Sequence, residues 1–256
     1  MSAQPAPRDW DADSYDRISG PQVEMARPVL ARLELRGDET VLDAGCGSGR
    51  VTKLLLERLP RGHVVAVDAA PSMVARARTE LPEDRVTVIE ADLAGLEVDD
   101  PVDVVFSTAV FHCVPDHDRL FASLHRALRP GGRLVAQCGG EGNVEGFLAA
   151  AREAAEQEPF APYLAGWSGP WYFASVEETG QRLERAGFGD VDVWSEPHPA
   201  VPQHPEEYLR TVCLGHHLGQ LPDGLRDPFV RAVGERCGQP LELDYVRLNI
   251  TARRPA

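Results

Sequence analysis

At 256 residues, 43% hydrophobic and 26% charged, the chain is long enough to bury a full core and has the composition of a soluble globular protein. A formal charge of −14 argues against nucleic-acid and anionic-membrane partners, which need a basic face, and no apolar run reaches the ~18 residues of a spanning helix. The five cysteines (Cys46, Cys113, Cys138, Cys213, Cys237) are odd in number and lack Cys-x-x-Cys spacing, which fits a reducing compartment rather than a disulfide frame or a zinc site. Met1–Trp10 has no apolar leader core, so the expected setting is the cytoplasm, with no metal.

Residues 1–9 are rich in Ala, Pro and charge. Trp10, Tyr15, Ile18 and Val23 then space apolar groups like a helical lead-in, and Gln22–Leu35 reads as a helix stopping near Gly37. Thr40–Ala44 is a short apolar strand that breaks into Gly45, Gly47 and Gly49. From Val51 to Leu59 the apolar residues recur at helical spacing, so the unit reads as buried strand, glycine turn, helix. His63–Asp68 is a second strand ending in an acid, and Pro71 opens a helix over Ser72–Leu81. Val86–Ala91 is a third strand, followed by Asp92. Val102–Ser107 is a fourth, His117–Leu128 its helix, and Pro130-Gly131-Gly132 reads as a tight turn into a fifth strand, Arg133–Cys138. After residue 139 the rhythm changes. An Ala-rich helix (Val144–Gln157), an aromatic Pro/Gly-rich loop (Pro159–Phe173) and a helix (Val176–Ala186) precede strand Val191–Trp194, and Pro197–Pro240 separates it from a last strand, Glu242–Ala252.

Strands alternating with helices predict an α/β fold: a doubly wound, mostly parallel, seven-stranded Rossmann-like sheet. The composition shifts predict one domain over 1–256 with helical cap elements near 1–30, 143–173 and 200–238.

The glycine turn lies where open α/β sheets bind ligands, at the carboxyl end of a strand. Gly45-x-Gly47-x-Gly49 is one residue shorter than the dinucleotide fingerprint, with Arg50 where the last glycine would fall, and no Lys-Ser/Thr follows to make a phosphate loop. Asp68, at the end of the second strand, is placed to accept from two ribose hydroxyls. Asp43, just before the glycines, would repel a phosphate and attract an ammonium group.

Val41-Leu42-Asp43-Ala44-Gly45-Cys46-Gly47-Ser48-Gly49 resembles the first motif of class I S-adenosylmethionine-dependent methyltransferases. Asp68, Glu90-Ala91-Asp92, Asp103-Val104-Val105 and Leu128-Arg129-Pro130-Gly131-Gly132 resemble the later motifs, in order and spacing. Asp9-Trp10 with Tyr15, Arg27-Pro28, Phe106-Ser107-x-Ala109, Val114-Pro115-Asp116-His117 and the tail Arg247-Leu248-x-x-x-Ala252-Arg253-Arg254 are similar to the narrower family of trans-aconitate methyltransferases. The chain departs from that family at Thr108, where Asn is usual, and at His112-Cys113, where Gln-Trp is usual, so the likeness specifies the cofactor more tightly than the acceptor.

The resemblance implies S-adenosyl-L-methionine as cofactor, lined by Tyr15, Asp43, Gly45, Cys46, Gly47, Gly49, Asp68, Ala69, Met73, Asp92, Leu93 and Ser107. In that set Asp68 serves the ribose and Asp92 the adenine amino group, and Ala69 and Met73 flank the adenine. Gly45, Gly47 and the backbone near Ser107 face the methionine part, and Tyr15 closes over its carboxylate. The sulfonium methyl is already activated, so transfer needs alignment and exclusion of water. A carboxylate acceptor, with pKa ~4, needs no base at pH 7, whereas a phenol or amine would use one.

His112 follows the fourth strand and is a candidate base or substrate contact; packing in a loop is its structural role otherwise. Candidate acceptor contacts are Trp10, Arg27, His112, Trp167, Trp171 and Tyr172. The aromatics, with Phe173, serve equally as a lid or as the cap's own core. Arg27 suits either a carboxylate or a surface ion pair. His216 and His217, adjacent on a helix, point to different faces and are poor co-ligands for a metal, with or without His204. The expected activity is methyl transfer to a small molecule, at oxygen and on a carboxylate. Against it stand O- or N-methylation of a secondary-metabolite hydroxyl or amine, a nicotinamide-dependent dehydrogenase, and a non-catalytic S-adenosylmethionine-binding protein.

Overall fold

Val41, Leu42 and Ala44 of the strand Thr40–Ala44 (β1) are fully buried, as the apolar run of a strand covered on both faces requires. The computed structural model describes residues 20–167 and 169–256, with side chains from residue 24 onward. β1 pairs in parallel with His63–Asp68 (β2) on one side and Val102–Thr108 (β4) on the other. Val86–Glu90 (β3) extends the β2 side, and Leu128–Gly139 (β5), Gly189–Pro197 (β6) and Val246–Arg253 (β7) extend the β4 side. The order is β3-β2-β1-β4-β5-β7-β6, with β7 antiparallel to both its neighbours. The chain leaves β1 toward β3 and returns to β4 on the opposite side, so the crevice beyond the carboxyl ends of β1 and β4 is the topological switch point.

Strand alternation splits the core in two. Val41, Val104 and Phe106 face Gly20–Ala31 (α1) and Arg50–Glu57 (α2), and with them lies Ala77 of Pro71–Glu80 (α3). Leu42, Val105 and Leu134 face His117–Ala127 (α4) and Val176–Arg185 (α7). A third apolar cluster lies off the sheet. It is built from Glu145–Ala155 (α5), Ala161–Leu164 (α6), Pro205–Tyr208 (α8), Gly215–Gln220 (α9) and Asp223–Arg236 (α10), and closes on Leu241, Leu243 and Tyr245. No helix among the described residues is long and apolar enough to cross a membrane.

Several boundaries differ from the sequence expectation. α1 ends at Ala31 rather than Leu35, and β6 runs three residues further than Trp194. β7 begins at Val246 rather than Glu242, because Leu243 instead bridges to Ala200. Pro130-Gly131-Gly132 is not a turn before β5 but a bulge inside it: Leu128 pairs with Val102, and the register resumes with Arg133 opposite Val104. The freed backbone is taken up by β7, as Gly131 N–H donates to the Arg254 carbonyl and Arg254 N–H to that of Gly132.

The bulge yields a test. A Cβ on Gly132 would lie 2.8 Å from the Arg129 carbonyl oxygen and 3.1 Å from that of Asp103, both backbone atoms. Gly132→Ala is therefore expected to cost about 1–3 kcal/mol in urea unfolding. Gly131→Ala, with φ +77 but nothing within 4 Å of its Cβ, should carry only the left-handed backbone penalty of about 1–2 kcal/mol.

Candidate functional site

The turn after β1 is held from below by β2: the N–H groups of Gly45 and Cys46 both donate to the Val67 carbonyl, at 2.8 and 2.9 Å. Gly45, at φ +89, has no alternative residue. A Cβ there would fall 2.2 Å from Cγ2 of Val110, which reaches across from the far side of the crevice. Gly47, at φ +55, has nothing within 4 Å of its Cβ position, so this glycine opens onto space rather than onto protein. Gly49 ends the turn as the N-cap of α2.

Asp68 joins this turn to the next one. Its Oδ2 accepts from Gly47 N–H at 2.9 Å and its Oδ1 from Ala70 N–H at 2.9 Å. Burial raises its pKa above the ordinary carboxylate range, opposed by these backbone amides. Asp43 lies beneath the turn, 2% exposed, with Oδ2 taking a hydrogen bond from Thr52 Oγ1 at 2.6 Å. Its carboxyl is pushed up to about 7, chiefly by burial and further by the charge of Asp68, against the Thr52 bond. Cys46 is buried, its thiol over the Gly47 carbonyl. Ser107 Oγ donates to the Ala44 carbonyl at 2.7 Å and ties the end of β4 to β1. On the β3 side exposed Asp92 caps the 3₁₀ turn Leu93–Gly95 through Ala94 N–H at 2.9 Å, while Leu93 and Met73 are buried and Ala69 half-buried. The run Asp43–Gly49 holds a carboxylate and no cationic side chain. With Asp68 beside it and an open cradle at Gly47, the crevice repels a pyrophosphate and fits a nucleoside joined to a cationic amino-acid chain, as S-adenosylmethionine is.

The other wall starts with backbone strain. Ala109 follows β4 at φ 60, its N–H bonded to the Gln137 carbonyl at 2.8 Å. The 3₁₀ turn Phe111–Cys113 then presents His112, whose Nδ1 accepts from Gly139 N–H at 3.1 Å. A backbone amide only donates, so Nδ1 carries the lone pair and the ring proton sits on Nε2. Burial, with Arg247 and His117 adding, holds this imidazole down to about 3. It is neutral at pH 7. Phe173 lies on the ring at 5.6 Å between centroids, Trp171 stacks on Phe173 at 6.2 Å, and Tyr172 N–H donates to the His112 carbonyl. The Tyr172 hydroxyl is engaged by Glu178 and Arg182 of α7.

Of the proposed acceptor contacts, Trp171 and Tyr172 do gather around His112. Trp167 packs on His217 at 4.7 Å within the helical cluster. Arg27 does not join them: it is exposed on α1 and paired with Glu24 at 3.1 Å, because Ala26, Val29 and Leu30 take that helix's buried face. Trp10 and Tyr15 lie outside the described residues. Three residues absent from the sequence-based site also reach this wall. Gly139 bonds His112. Asn143, 3% exposed, precedes Val144, which adopts φ 50. Arg247, 6% exposed, stands 4.3 Å over the Tyr245 ring. Two signals pointed to Arg247 without giving it a role: it opens the tail motif shared with the narrower family, and strand alternation around β7, with Leu248 and Ile250 buried on one face, puts Arg247 and Asn249 on the other.

Two tests follow from this geometry. Gly45→Ala should destabilise the fold through Val110, whereas Gly47→Ala should leave urea unfolding within about 1–2 kcal/mol of wild type yet weaken S-adenosylhomocysteine binding in calorimetry. Asp43 has a folded pKa of about 7 against an ordinary 3.8, so its contribution to stability is full below 3.8 and is lost as pH rises through 7. Asp43→Asn should remove that loss, and its stability relative to wild type should climb between those pH values.

Comparison with known proteins agrees with this reading of the crevice. A family model described as "Methyltransferase domain" matches residues 42–136. The chain is 36% identical over 257 residues to the trans-aconitate 2-methyltransferase of Shigella flexneri, covering 96% of this chain and 98% of that protein. It is 32% identical over 243 residues to the enzyme of the same name from Acidovorax sp. (strain JS42), covering 90% of each. Among solved structures, phosphoethanolamine N-methyltransferase 2 of Haemonchus contortus, in complex with S-adenosyl-L-methionine, superposes with TM-score 0.64 at 21% identity. That match covers 96% of this chain, which spans 57% of the H. contortus chain. An S-adenosylmethionine-dependent methyltransferase from Mesorhizobium loti superposes with TM-score 0.55 at 23% identity, covering 89% of this chain and 96% of the other. A nicotinamide dehydrogenase is thereby set aside. The chain belongs to the class I S-adenosylmethionine-dependent methyltransferases, within the family that includes the trans-aconitate 2-methyltransferases.

Proposed function

We propose that this enzyme transfers the methyl group to a carboxylate oxygen of a small organic acid, giving a methyl ester. The observation that carries the reading is the state of His112. Its Nδ1 is occupied by Gly139 N–H and its Nε2 holds the proton, so the ring facing the acceptor side donates a hydrogen bond and takes no proton. A hydroxyl or amine acceptor would want a base there. A carboxylate, ionised at pH 7, attacks without one. The full-length curated relatives are named for methylation of an acid, trans-aconitate, which supports the same acceptor class.

Bound S-adenosylmethionine supplies an activated methyl on a sulfonium whose leaving group is a neutral thioether. The chain's own contribution is placement and dryness. Asp68 holds the turn at Gly47 against the one at Ala70 and offers its carboxylate edge to the ribose. Val110 closes the crevice over Gly45, and the Trp171–Phe173 segment covers His112 from the solvent side. We infer that the acceptor lies between that segment and β4, with the helices of 143–173 and 200–238 serving as a cap on a single domain; of the expected cap element at 1–30, residues 1–19 lie outside the described residues, and Val29 and Leu30 pack against the sheet. The free cysteines support a reducing, cytoplasmic setting, and the relatives' named substrate supports a small-molecule partner.

The test is the chemistry of the product. With tritiated cofactor and a panel of small organic acids, label should appear in material that releases methanol in mild alkali, and kcat should stay flat from about pH 6 to 9 because an acid of pKa ~4 is ionised throughout. An alkali-stable ether or N-methyl product overturns the reading, as does a kcat at saturating cofactor that rises with a pKa in that range and still does so in Asp43→Asn.

A further inference from the structure

Behind the turn that presents His112 lies a second histidine. His117 opens α4, is 2% exposed, and has its Nε2 at 2.9 Å from the Phe111 carbonyl oxygen. A carbonyl only accepts, so Nε2 carries the ring proton and Nδ1 the lone pair. Phe111 is the first residue of the 3₁₀ turn Phe111–Cys113, and its carbonyl also takes the Val114 N–H at 2.9 Å. Both lone pairs of that oxygen are therefore used where the turn closes. The same imidazole meets the Tyr172 ring edge to face, 4.9 Å between centroids, and Tyr172 N–H donates to the His112 carbonyl at 2.8 Å. Two consecutive carbonyls of one turn are thus fixed from two sides, and His117 touches both the turn and the segment that fastens it.

Packing alone does not call for a histidine here. An apolar side chain of similar size would fill the space beside Phe121 and Tyr172 without burying an imidazole whose Nδ1 has no hydrogen-bond partner among the described residues. What the imidazole adds is its Nε2–H. Its surroundings keep it neutral: burial lowers its pKa and Arg182 adds to this, against the Phe111 bond and the charges of Glu178 and Asp118. The far side of Tyr172 is held as firmly. Its hydroxyl donates to Glu178 and accepts from Arg182 at 3.0 Å, and Arg182 in turn pairs with Glu178 at 2.7 Å and with Asp118 at 3.5 Å. Asp118 is the next residue after His117, so α4 and α7 together hold Tyr172, whose backbone holds His112.

We propose that His117 is a positioning residue for methyl transfer: through the Phe111 carbonyl and the Tyr172 ring it sets where His112 and the Trp171–Phe173 cover stand against the acceptor. This rests on the reading that the acceptor lies beside His112.

Three variants separate the donor from the packing. His117→Leu fills the space with no donor. His117→Gln carries an amide N–H at the reach of Nε2, and His117→Asn carries the same group only at the reach of Nδ1, short of Phe111. Gln and Asn differ in reach alone, so they decide the matter even where Leu does not fold. The tautomer of His112 is read by ¹⁵N histidine NMR on the S-adenosylhomocysteine complex, and methyl transfer is assayed with trans-aconitate, the acid for which the curated relatives are named. Melting temperature and S-adenosylhomocysteine affinity report the fold and the cofactor side. His117→Leu and His117→Asn are expected to turn the single Nε2–H form of His112 into a mixture of tautomers. Their kcat should fall about 10- to 100-fold, with the KM for S-adenosylmethionine unchanged. His117→Gln should recover most of both losses. A folded Leu or Asn variant with the wild-type His112 spectrum overturns the proposal, as does a changed spectrum with wild-type kcat, or a Gln variant no better than Asn. If wild type transfers no methyl to trans-aconitate, that counts against the acceptor reading, and the His112 spectra of Gln and Asn alone uphold or overturn the role of His117.

Discussion

The carboxylate of Asp68 is the fastening on which the cofactor side depends. One oxygen holds the amide of Gly47 and the other that of Ala70, so a single side chain sets both the glycine turn after β1 and the start of α3. Those two amides oppose the burial that raises its pKa, and so favour the ionised form, the one that would accept from ribose hydroxyls in the proposed cofactor pose. The same charge works on its neighbour. Asp43, beneath the turn, is driven up by burial and by Asp68 together, so the floor of the crevice sits near half-protonation at neutral pH. A positively charged amino-acid chain entering above would draw the Asp43 proton off. The crevice thus favours a cation without a permanent buried ion pair, whose desolvation in the empty protein would be costly.

The acceptor wall is built to the opposite electrostatic plan. Arg247, Asn143 and the Nε2–H of His112 are donors, and the imidazole is kept neutral by its surroundings. An acidic half and a donor half face one another across the ends of β1, β4 and β5. On the proposed reaction, that polarity would orient a cationic methyl donor and an anionic acceptor toward each other before any specific contact is made. Two of the three positive-φ non-glycine residues among the described ones, Ala109 (φ 60) and Val144 (φ 50), lie on the acceptor side, where the chain leaves the sheet abruptly toward His112 and Asn143; the third is Asp190 in β6.

These two halves differ in how far the sequence revealed them. The cofactor half is local: strand, glycines, Asp68 and Asp92 all fall between Thr40 and Asp92 and follow the rhythm of βα units, so spacing and chemistry together were legible. The acceptor half is not local. Arg247 reaches Gly139 only because β7 inserts antiparallel between β5 and β6, a pairing more than a hundred residues apart in sequence. Nothing in the local pattern around Asn143 marks it, since its role comes from one bond to Val246. Arg27 was a reasonable carboxylate ligand by residue type. The helical phase set by Ala26, Val29 and Leu30 turns it outward. Pro130-Gly131-Gly132 read as a turn because those residues make turns, whereas pairing with β4 and β7 on both sides holds them as a bulge within β5.

The role of His112 shows why residue type alone does not decide chemistry. A histidine beside a methyl-transfer site suggests a base, and with Nδ1 facing open space it would be one. Here a backbone amide from Gly139 takes Nδ1 at 3.1 Å, and the tautomer follows from the fact that an amide has only a hydrogen to give. The same glycine, by lacking a side chain, lets Phe173 lie against the ring and Asn143 turn its amide inward, and by strand register it brings Arg247 to that face. Replacing Gly139 with any residue other than proline would therefore disturb Phe173 and Asn143 through the added Cβ while leaving the N–H that bonds His112 in the chain. The acceptor side hangs on the smallest side chain in it, just as the cofactor side hangs on the space kept open at Gly47.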